Sequence, residues 1–357
     1  MRIVITGATG NVGTALLAAL EPGHDVVGLA RRLPDTTAEP YRAAGWCALD
    51  VGGRGADREL TALFEGADAV VHLAWAISPR RGDPPMWCTN DHGTRHVLAA
   101  AAAAGVPRLV AASSVAAYGP ASRWDKVSEF HPRTGIEHSA YSRGKAALES
   151  LLDRFEARHP EIGLARLRPC AILQRRAAGE FARWLLDPAV PARLAGGRRL
   201  PVPLWNDLRA QAVHTSDVAE AIRLILATGY TGPVNLAAPD VLDADALAAV
   251  LGGTRLPVPK PLARAAVRAA WASGALPVHP GWLELADRAA LADTTVAETV
   301  LGWQPRYDAA SAIAELVAGL RSGAGAASPA LAPPRGSGVL ARLRSLTRVG
   351  PSHQSQA

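Results

Sequence analysis

The first thirteen residues, MRIVITGATGNVG, constrain this chain more than any other stretch. Residues 2–5 form a short apolar run of the kind that becomes a buried parallel strand, and residues 6–13 then turn into an Ala/Leu-rich helix expected to reach Leu20. Each glycine has a use in such a turn. Gly7 allows the sharp bend, Gly10 lets backbone approach a diphosphate, and Gly13 lets helix and strand pack closely. The helix start, at Asn11 and Val12, presents unpaired N–H groups and a partial positive charge to phosphate. A plain structural turn could carry the same three glycines, but the strand-to-helix context favours a dinucleotide site.

The rest of the first half repeats the alternation. Residues 24–30, 46–51, 69–74 and 108–112 read as strands, with a helix expected from Asn90 to Ala104 between the last two. Strands and helices in this rhythm imply a Rossmann-type, doubly wound α/β fold with right-handed crossovers. The second strand ends at Arg31-Arg32, where an NAD site usually carries an acid for the ribose 2′-hydroxyl; an arginine suits a 2′-phosphate. NADP is therefore preferred over NAD, although two arginines that merely solvate a loop would look the same. Asp50 falls at a strand's carboxyl edge, where such sheets bind ligands, or else caps the next turn. Leu73 and Ala74 end the fourth strand, and the small Ala74 leaves room for a cofactor.

The net charge of +6 raises the question of nucleic acid. Five of those charges, Arg321, Arg335, Arg342, Arg344 and Arg348, lie in a C-terminal stretch without an acid, which leaves about +1 for the remainder. Nucleic-acid binding loses its main support. Cys47, Cys88 and Cys170 have neither metal-ligand spacing nor an even disulfide framework, which fits a reducing cytoplasm and no metal. The fold begins by residue 3, leaving no room for a signal peptide, and no apolar run is long enough to span a membrane.

The chemistry is expected at Tyr141-Ser142-Arg143-Gly144-Lys145, which opens a helix running to about Arg158. A spacing of four puts Tyr141 and Lys145 on one face, one turn apart. A phenol is a poor acid or base near neutrality, and a nearby ammonium with a positive nicotinamide would favour phenolate. Ser114, at the end of the fifth strand, could bond the same substrate oxygen.

At these positions the chain resembles the extended short-chain dehydrogenase/reductases, the NAD-dependent epimerase/dehydratase family. The stretches that carry the resemblance are TGATGNVG at residues 6–13, DV at 50–51, HLAW at 72–75, NDHGT at 90–94, SSVAAYG at 113–119, YSRGK at 141–145, RP at 168–169, VHTSDVAEA at 213–221 and LGWQP at 301–305. The resemblance implies Tyr141 as the acid/base and Lys145 as the residue that lowers its pKa and holds the nicotinamide ribose. It implies Ser114 as the group polarising the substrate oxygen, Asn90 as a link in the proton relay, Asp50-Val51 as the adenine contact and Arg31 as the 2′-phosphate arginine. It also implies a homodimer through the helices at 90–104 and 141–158.

Departures from the family pattern narrow the expectation. Ser114 is followed by Val115-Ala116 rather than the Asp-Glu of sugar-nucleotide dehydratases, and residues 168–174 lack the asparagine with which sugar-nucleotide epimerases hold a diphosphate. The expected activity is an NAD(P)-dependent oxidoreductase acting on a carbonyl/alcohol carbon of a small molecule. An epimerase, and a dinucleotide-sensing binding protein, are the alternatives. Residues 1–174, with 211–238 returning, form the expected dinucleotide domain; 175–210 and 239–321 form a smaller interleaved substrate lobe; 322–357 form a basic disordered tail. Trp184, Trp205, Trp271 and Trp282 line a pocket in that lobe or form its core. Arg175, Arg176, Arg198 and Arg199 face an anionic substrate or solvent; His214 is a turn residue, and residues 339–348 are a short basic helix or a frayed tail.

Overall fold

A computed structural model describes residues 1–77, 86–185, 201–276 and 278–333. Strand β1 (Arg2–Thr6) leads through the glycine turn into α1 (Asn11–Ala19), followed by β2 (Asp25–Ala30), β3 (Gly45–Ala48), α2 (Ala56–Phe64) and β4 (Ala69–His72). A π-helical turn, Cys88–Gly93, opens α3 (Thr94–Ala103), and β5 (Arg108–Ala112), β6 (Lys126–Val127), α4 (Ala140–Arg158) and β7 (Gly163–Pro169) follow. Beyond them lie β8 (Ala171–Leu173), α5 (Ala178–Leu185), β9 (Pro201–Leu204), β10 (Arg209–Ala210), β11 (Ala212–His214), α6 (Thr215–Thr228) and β12 (Gly232–Leu236). The last elements are β13 (Leu242–Asp243), α7 (Ala244–Val250), β14 (Thr254–Pro257), α8 (Lys260–Ala272), α9 (Gly281–Arg288), β15 (Leu291–Ala292), α10 (Thr295–Thr299) and α11 (Ala309–Ser322).

Seven strands make one parallel sheet in the order β3-β2-β1-β4-β5-β7-β12. Alternation along each strand builds two cores. Ile3 and Ile5, Val71 and Val110 pack with Leu16, Ile222 and Ile225 of α1 and α6 on one face. Val4, Val70 and Leu109 pack with Leu60, Phe64, Val97 and Leu152 of α2, α3 and α4 on the other. A third cluster, Leu173, Ala178, Leu242, Ile313 and Leu316, joins β8 and α5 to α11 and forms the lobe beside the sheet. The buried Asp287 of α9 ties that lobe together by ion pairs to Arg123 at 2.9 Å, Lys260 at 3.1 Å and Arg264 at 3.0 Å.

Several boundaries differ from the sequence expectation. The third strand ends at Ala48, and Leu49, Asp50 and Val51 belong to the turn after it; the fourth ends at His72, leaving Leu73 and Ala74 just beyond. The helix expected from Asn90 begins as a π turn. β11 pairs with β8 in a small sheet of its own, while β12 joins the main sheet. Residues 323–333, read from composition as disordered, instead turn back and pack, with Ser328 and Leu331 buried. Residues 334–357, which include the expected basic helix, and Arg198 and Arg199 lie outside the described residues.

The heaviest polar burial lies under α4. Arg168 of β7, 1% exposed, reaches Glu149 through Nε to Oε1 at 2.7 Å and Nη2 to Oε2 at 2.8 Å. Its remaining donor meets Tyr118 Oη at 2.9 Å and the Glu129 carbonyl at 2.7 Å. Buried charges need this degree of pairing. It locks α4 against the sheet one turn from Lys145.

Candidate active site at the carboxyl edge of the sheet

The glycine turn follows β1 directly. Gly7 has φ +70°, which strains any side chain, and a Cβ there would lie 2.7 Å from the Ala74 nitrogen. At Gly13 a Cβ would lie 2.6 Å from Ala8 Cα, so α1 can rest on the turn only without a side chain. Gly10 is different. Its φ of −79° suits any residue, and its Cβ would meet only the Gly7 carbonyl, at 3.3 Å. Gly10 is the N-cap of α1 and no side chain caps that helix, so free N–H groups and the positive end of its dipole open beside Gly10. This cradle fits a dinucleotide diphosphate.

Val12 lies in the first turn of α1, its side chain packed against the core of the sheet. The amide of Asn11 is engaged elsewhere: Oδ1 accepts from Gln174 Nε2 at 2.7 Å and from Thr215 Oγ1 at 3.2 Å, and Nδ2 donates to the Ile172 carbonyl at 3.1 Å. Asn11 therefore anchors the turn to β8 and α6. Leu73 and Ala74 abut Gly7, and Ala74 N donates to Thr6 Oγ1 at 3.3 Å. Arg31 leaves the end of β2 exposed and makes no ion pair among the described residues. Asp50 behaves as a turn cap, its Oδ1 accepting from Gly52 N at 3.0 Å, while Val51 is buried with its carbonyl on His96 Nδ1 at 2.8 Å.

Ser114 and Tyr141 come together. Ser114 caps the 3₁₀ turn Val115–Ala117, accepting from Ala116 N at 3.1 Å and donating Oγ to the Pro169 carbonyl at 3.3 Å, and its hydroxyl lies close enough to the Tyr141 phenol to influence its proton. The approach is set by Ser142, whose Oγ donates to the Ala116 carbonyl at 2.6 Å and accepts from Ile136 N at 2.7 Å. With Ser139 capping Ser142 N, the first turn of α4 is pinned to the serine loop. Lys145 follows one turn later and donates Nζ to the Ala112 carbonyl at 2.8 Å.

The electrostatics of this trio depart from expectation. Burial pushes the Tyr141 phenol above its ordinary value, and the nearby Ser114 hydroxyl only partly offsets it. The Lys145 Nζ lies 6.0 Å from the Tyr141 ring centre and 3.6 Å from the centre of the Trp75 ring. Burial draws the Lys145 ammonium down to about 7, with Glu149 opposing the fall. The lysine is thus poised between charged and neutral near working pH.

Asn90 stands apart from the trio. Its Oδ1 accepts from Ala76 N at 2.7 Å and its Nδ2 donates to Ala76 O at 2.9 Å, which clamps the segment after β4. Asn90 O accepts from Thr94 Oγ1 at 2.7 Å, and Thr94 Oγ1 meets His72 Nε2 at 3.1 Å. Burial takes His72 down to about 3, so it is neutral, with Nε2 carrying the proton and Nδ1 facing Thr6 Oγ1 at 2.8 Å. His72, Trp75 and Ser142 fall inside the stretches HLAW and YSRGK but receive no role of their own from the pattern, and Glu149 is not singled out by it, although an acid four residues beyond Lys145 on the same helix face is a readable signal.

The substrate side is aromatic. Trp282, at the start of α9, tilts over Tyr141 with ring centres 5.1 Å apart and planes at 33°. Gly281 makes that approach possible, since a Cβ would lie 2.5 Å from the His138 carbonyl. Trp75 Nε1 is buried with no hydrogen-bond partner among the described residues. Of the other tryptophans, Trp205 is core and bonds Asp287 at 3.1 Å, Trp184 packs on Phe181, and Trp271 on His279. His214 caps α6 and stacks on Tyr307, a structural role. Arg175 and Arg176 are exposed. Among the described residues no cluster of His, Cys, Asp or Glu could hold a metal, and no helix is long and apolar enough to cross a membrane.

Comparison with known proteins agrees with this architecture. A profile of the NAD dependent epimerase/dehydratase family matches residues 3–237. An uncharacterized protein of Mycobacterium tuberculosis is 30% identical over 331 residues, which cover 90% of this chain; the chain spans 30% of that relative's length. A 4-hydroxy-2-methyl-3-oxo-4-farnesyl-3,4-dihydroquinoline-1-oxide ketoreductase of Stigmatella aurantiaca is 32% identical over 66% of this chain and 67% of its own. Among solved structures, a UDP-glucose 4-epimerase of Thermus thermophilus in complex with NAD superposes with a TM-score of 0.64 at 22% identity, covering 90% of this chain and 99% of that one. At that identity the likeness speaks for the fold.

Proposed function

This chain belongs to the NAD dependent epimerase/dehydratase family, and we propose that it is an NADP-preferring oxidoreductase acting on a carbonyl/alcohol carbon of an apolar small molecule. The observation that carries the reading is the Ser114–Tyr141 pair beside Lys145, at the same sheet edge as the open cradle of Gly10 and α1. Bound there, a nicotinamide dinucleotide supplies or accepts the hydride. Gly7, Gly10, Gly13 and the backbone of Asn11 and Val12 would hold its diphosphate, Asp50 and Val51 would border its adenine, and Leu73 and Ala74 would line its path. Arg31, exposed at the end of β2, favours a 2′-phosphate.

The residues of the chain handle the proton and the charge. Tyr141 gives its phenolic proton to the substrate oxygen as the carbonyl is reduced, and Ser114 Oγ donates a hydrogen bond to the developing alkoxide. The raised pKa of Tyr141 keeps that proton in place until substrate arrives. Lys145, charged below about 7, adds positive potential to the site and would hold the nicotinamide ribose. Asn90 supports the site indirectly, through its clamp on Ala76. Trp282 and Trp75 flank the reacting centre with apolar surface, which suits a hydrophobic ketone or alcohol better than a sugar nucleotide.

An epimerase would use the same three residues to oxidise and re-reduce one centre, and the 29% identity to a UDP-glucose 4-epimerase of Mycolicibacterium smegmatis favours keeping that reading. Net consumption of dinucleotide separates the two. Three free thiols support a cytoplasmic setting, and the exposed groove between α3 and α4, bordered by Leu98, Leu151 and Phe155, is where a second copy would pair. The reading is tested by following NADPH absorbance with a panel of hydrophobic ketones. Wild-type protein should oxidise NADPH, and Tyr141→Phe should lose turnover while still binding NADPH. Turnover that survives the substitution refutes the mechanism.

A further inference from the structure

The segment after α11 reaches the cofactor cradle from the far end of the chain. At Gly323, φ +65°, the chain reverses and runs back through Ala-Gly-Ala-Ala-Ser-Pro-Ala-Leu-Ala-Pro, residues 324–333. Ser328 Oγ donates to the Thr9 carbonyl at 2.9 Å, inside the glycine turn between Gly7 and Gly10. The Ala327 carbonyl accepts from Asp35 N at 2.9 Å, in the loop that begins with Arg31. Those two loops bound the adenosine-ribose end of the dinucleotide in a sheet of this topology. A segment bonded to both closes the gap between them.

The other side of the segment is held by the substrate lobe. Arg183 of α5 donates to the Ala332 carbonyl at 3.0 Å and to the Ala330 carbonyl. Close contact with α5 depends on Gly179, where a Cβ would fall on the Ala332 carbonyl oxygen. Leu331 is fully buried, and its N–H donates to Ser328 Oγ at 3.2 Å. Ala326 N donates to the Leu331 carbonyl at 2.8 Å, which makes the segment a compact loop with two buried anchors. Small side chains and few anchors make it the kind of unit that opens locally without unfolding the sheet.

We propose that residues 324–333 are a retaining strap of the dinucleotide site, with Ser328 and Leu331 as positioning residues that slow release of the bound dinucleotide. The proposal rests on the dinucleotide reading above. The segment closes the adenosine-ribose end from outside, joins the glycine turn to the lobe, and must lift for exchange.

The test is stopped-flow displacement of bound NADPH, and separately NADH, from the full chain and from its Ser328→Ala and Leu331→Ala variants. Both variants should release the dinucleotide faster, Leu331→Ala by tenfold or more. Amide exchange should slow at Ala326 and Leu331 when NADPH binds. Because Ser328→Ala removes one oxygen, it keeps the test valid if Leu331→Ala folds poorly. Wild-type binding with unchanged release from the variants, or slower release, overturns the strap alone. Failure of the wild type to bind either dinucleotide overturns the site reading as well.

Discussion

Glu149→Gln isolates the charge pair beneath the active site. In the folded protein Glu149 is fully buried and meets Arg168 through two bonds of 2.7 and 2.8 Å, with Arg133 and Arg166 at 3.3 and 3.4 Å. Replacing the carboxylate by an amide keeps the shape and one acceptor oxygen, but sets an NH2 donor against the guanidinium of Arg168 and leaves that buried charge without its counter-ion, with Tyr118 and the Glu129 carbonyl as its other acceptors. Breaking one partner of such a pair costs about 3–5 kcal/mol. For a chain of 357 residues, at about 2.1 cal/mol/K of unfolding entropy per residue, that corresponds to a fall of roughly 4–7 °C in Tm. The variant Glu149→Leu with Arg168→Met, which removes both charges, should recover most of the loss.

The same pair predicts a pH dependence. Burial pushes the Glu149 carboxyl up, but Arg168 outweighs it and the folded value lies below the ordinary one. Its contribution is therefore fully present above the unfolded-state value and is lost as pH falls through the folded one. Urea unfolding followed by circular dichroism across that range measures both effects. A loss under about 1 kcal/mol for Glu149→Gln, or a double variant no better than the single, would refute the reasoning.

Three further outcomes follow from the site. Arg31→Ala should weaken NADPH binding by roughly ten- to a hundredfold, the loss of a charge-assisted hydrogen bond of about 1.5–3 kcal/mol, and leave NADH binding unchanged; equal losses for both in a fluorescence titration would remove the 2′-phosphate argument. Burial lowers the Lys145 ammonium to about 7, so the stability tied to this group rises as pH climbs from there toward the ordinary lysine value. Lys145→Met should flatten that rise in urea midpoints, and a slope that persists contradicts the assignment. Gly13→Ala puts a Cβ 2.6 Å from backbone of Ala8, and the overpacking should cost about 1–3 kcal/mol together with dinucleotide binding; normal binding and melting would mean the turn is looser than described.

What was legible in the sequence was local or periodic. The glycine turn and the Tyr141–Lys145 spacing each lie within one element, and the apolar strands announce themselves by composition. The Glu149–Arg168 pair was hidden because its members sit 19 residues apart on a helix and a strand that touch only after folding. An acid on the buried face of α4 contradicts amphipathicity unless its partner is known. Asp50 is an exposed cap because β3 stops two residues short of it, a boundary fixed by pairing with β2. Residues 323–333 misled for a different reason: Gly, Ala, Ser and Pro read as chain with nothing to bury, yet small residues are what permits close contact with Gly179 and the glycine turn.

The spacing along α4 has an evolutionary consequence. Tyr141, Lys145 and Glu149 recur every fourth residue, so one face of one helix carries the proton donor, the ammonium and the anchor to the sheet. Each residue turns an α-helix by about 100°. Inserting or deleting a single position between Tyr141 and Glu149 would therefore swing either the phenol away from Ser114 or the carboxylate away from Arg168. The exposed positions Arg143 and Ala147 carry no such constraint. The geometry thus fixes the length of this stretch as firmly as the identity of its inward residues.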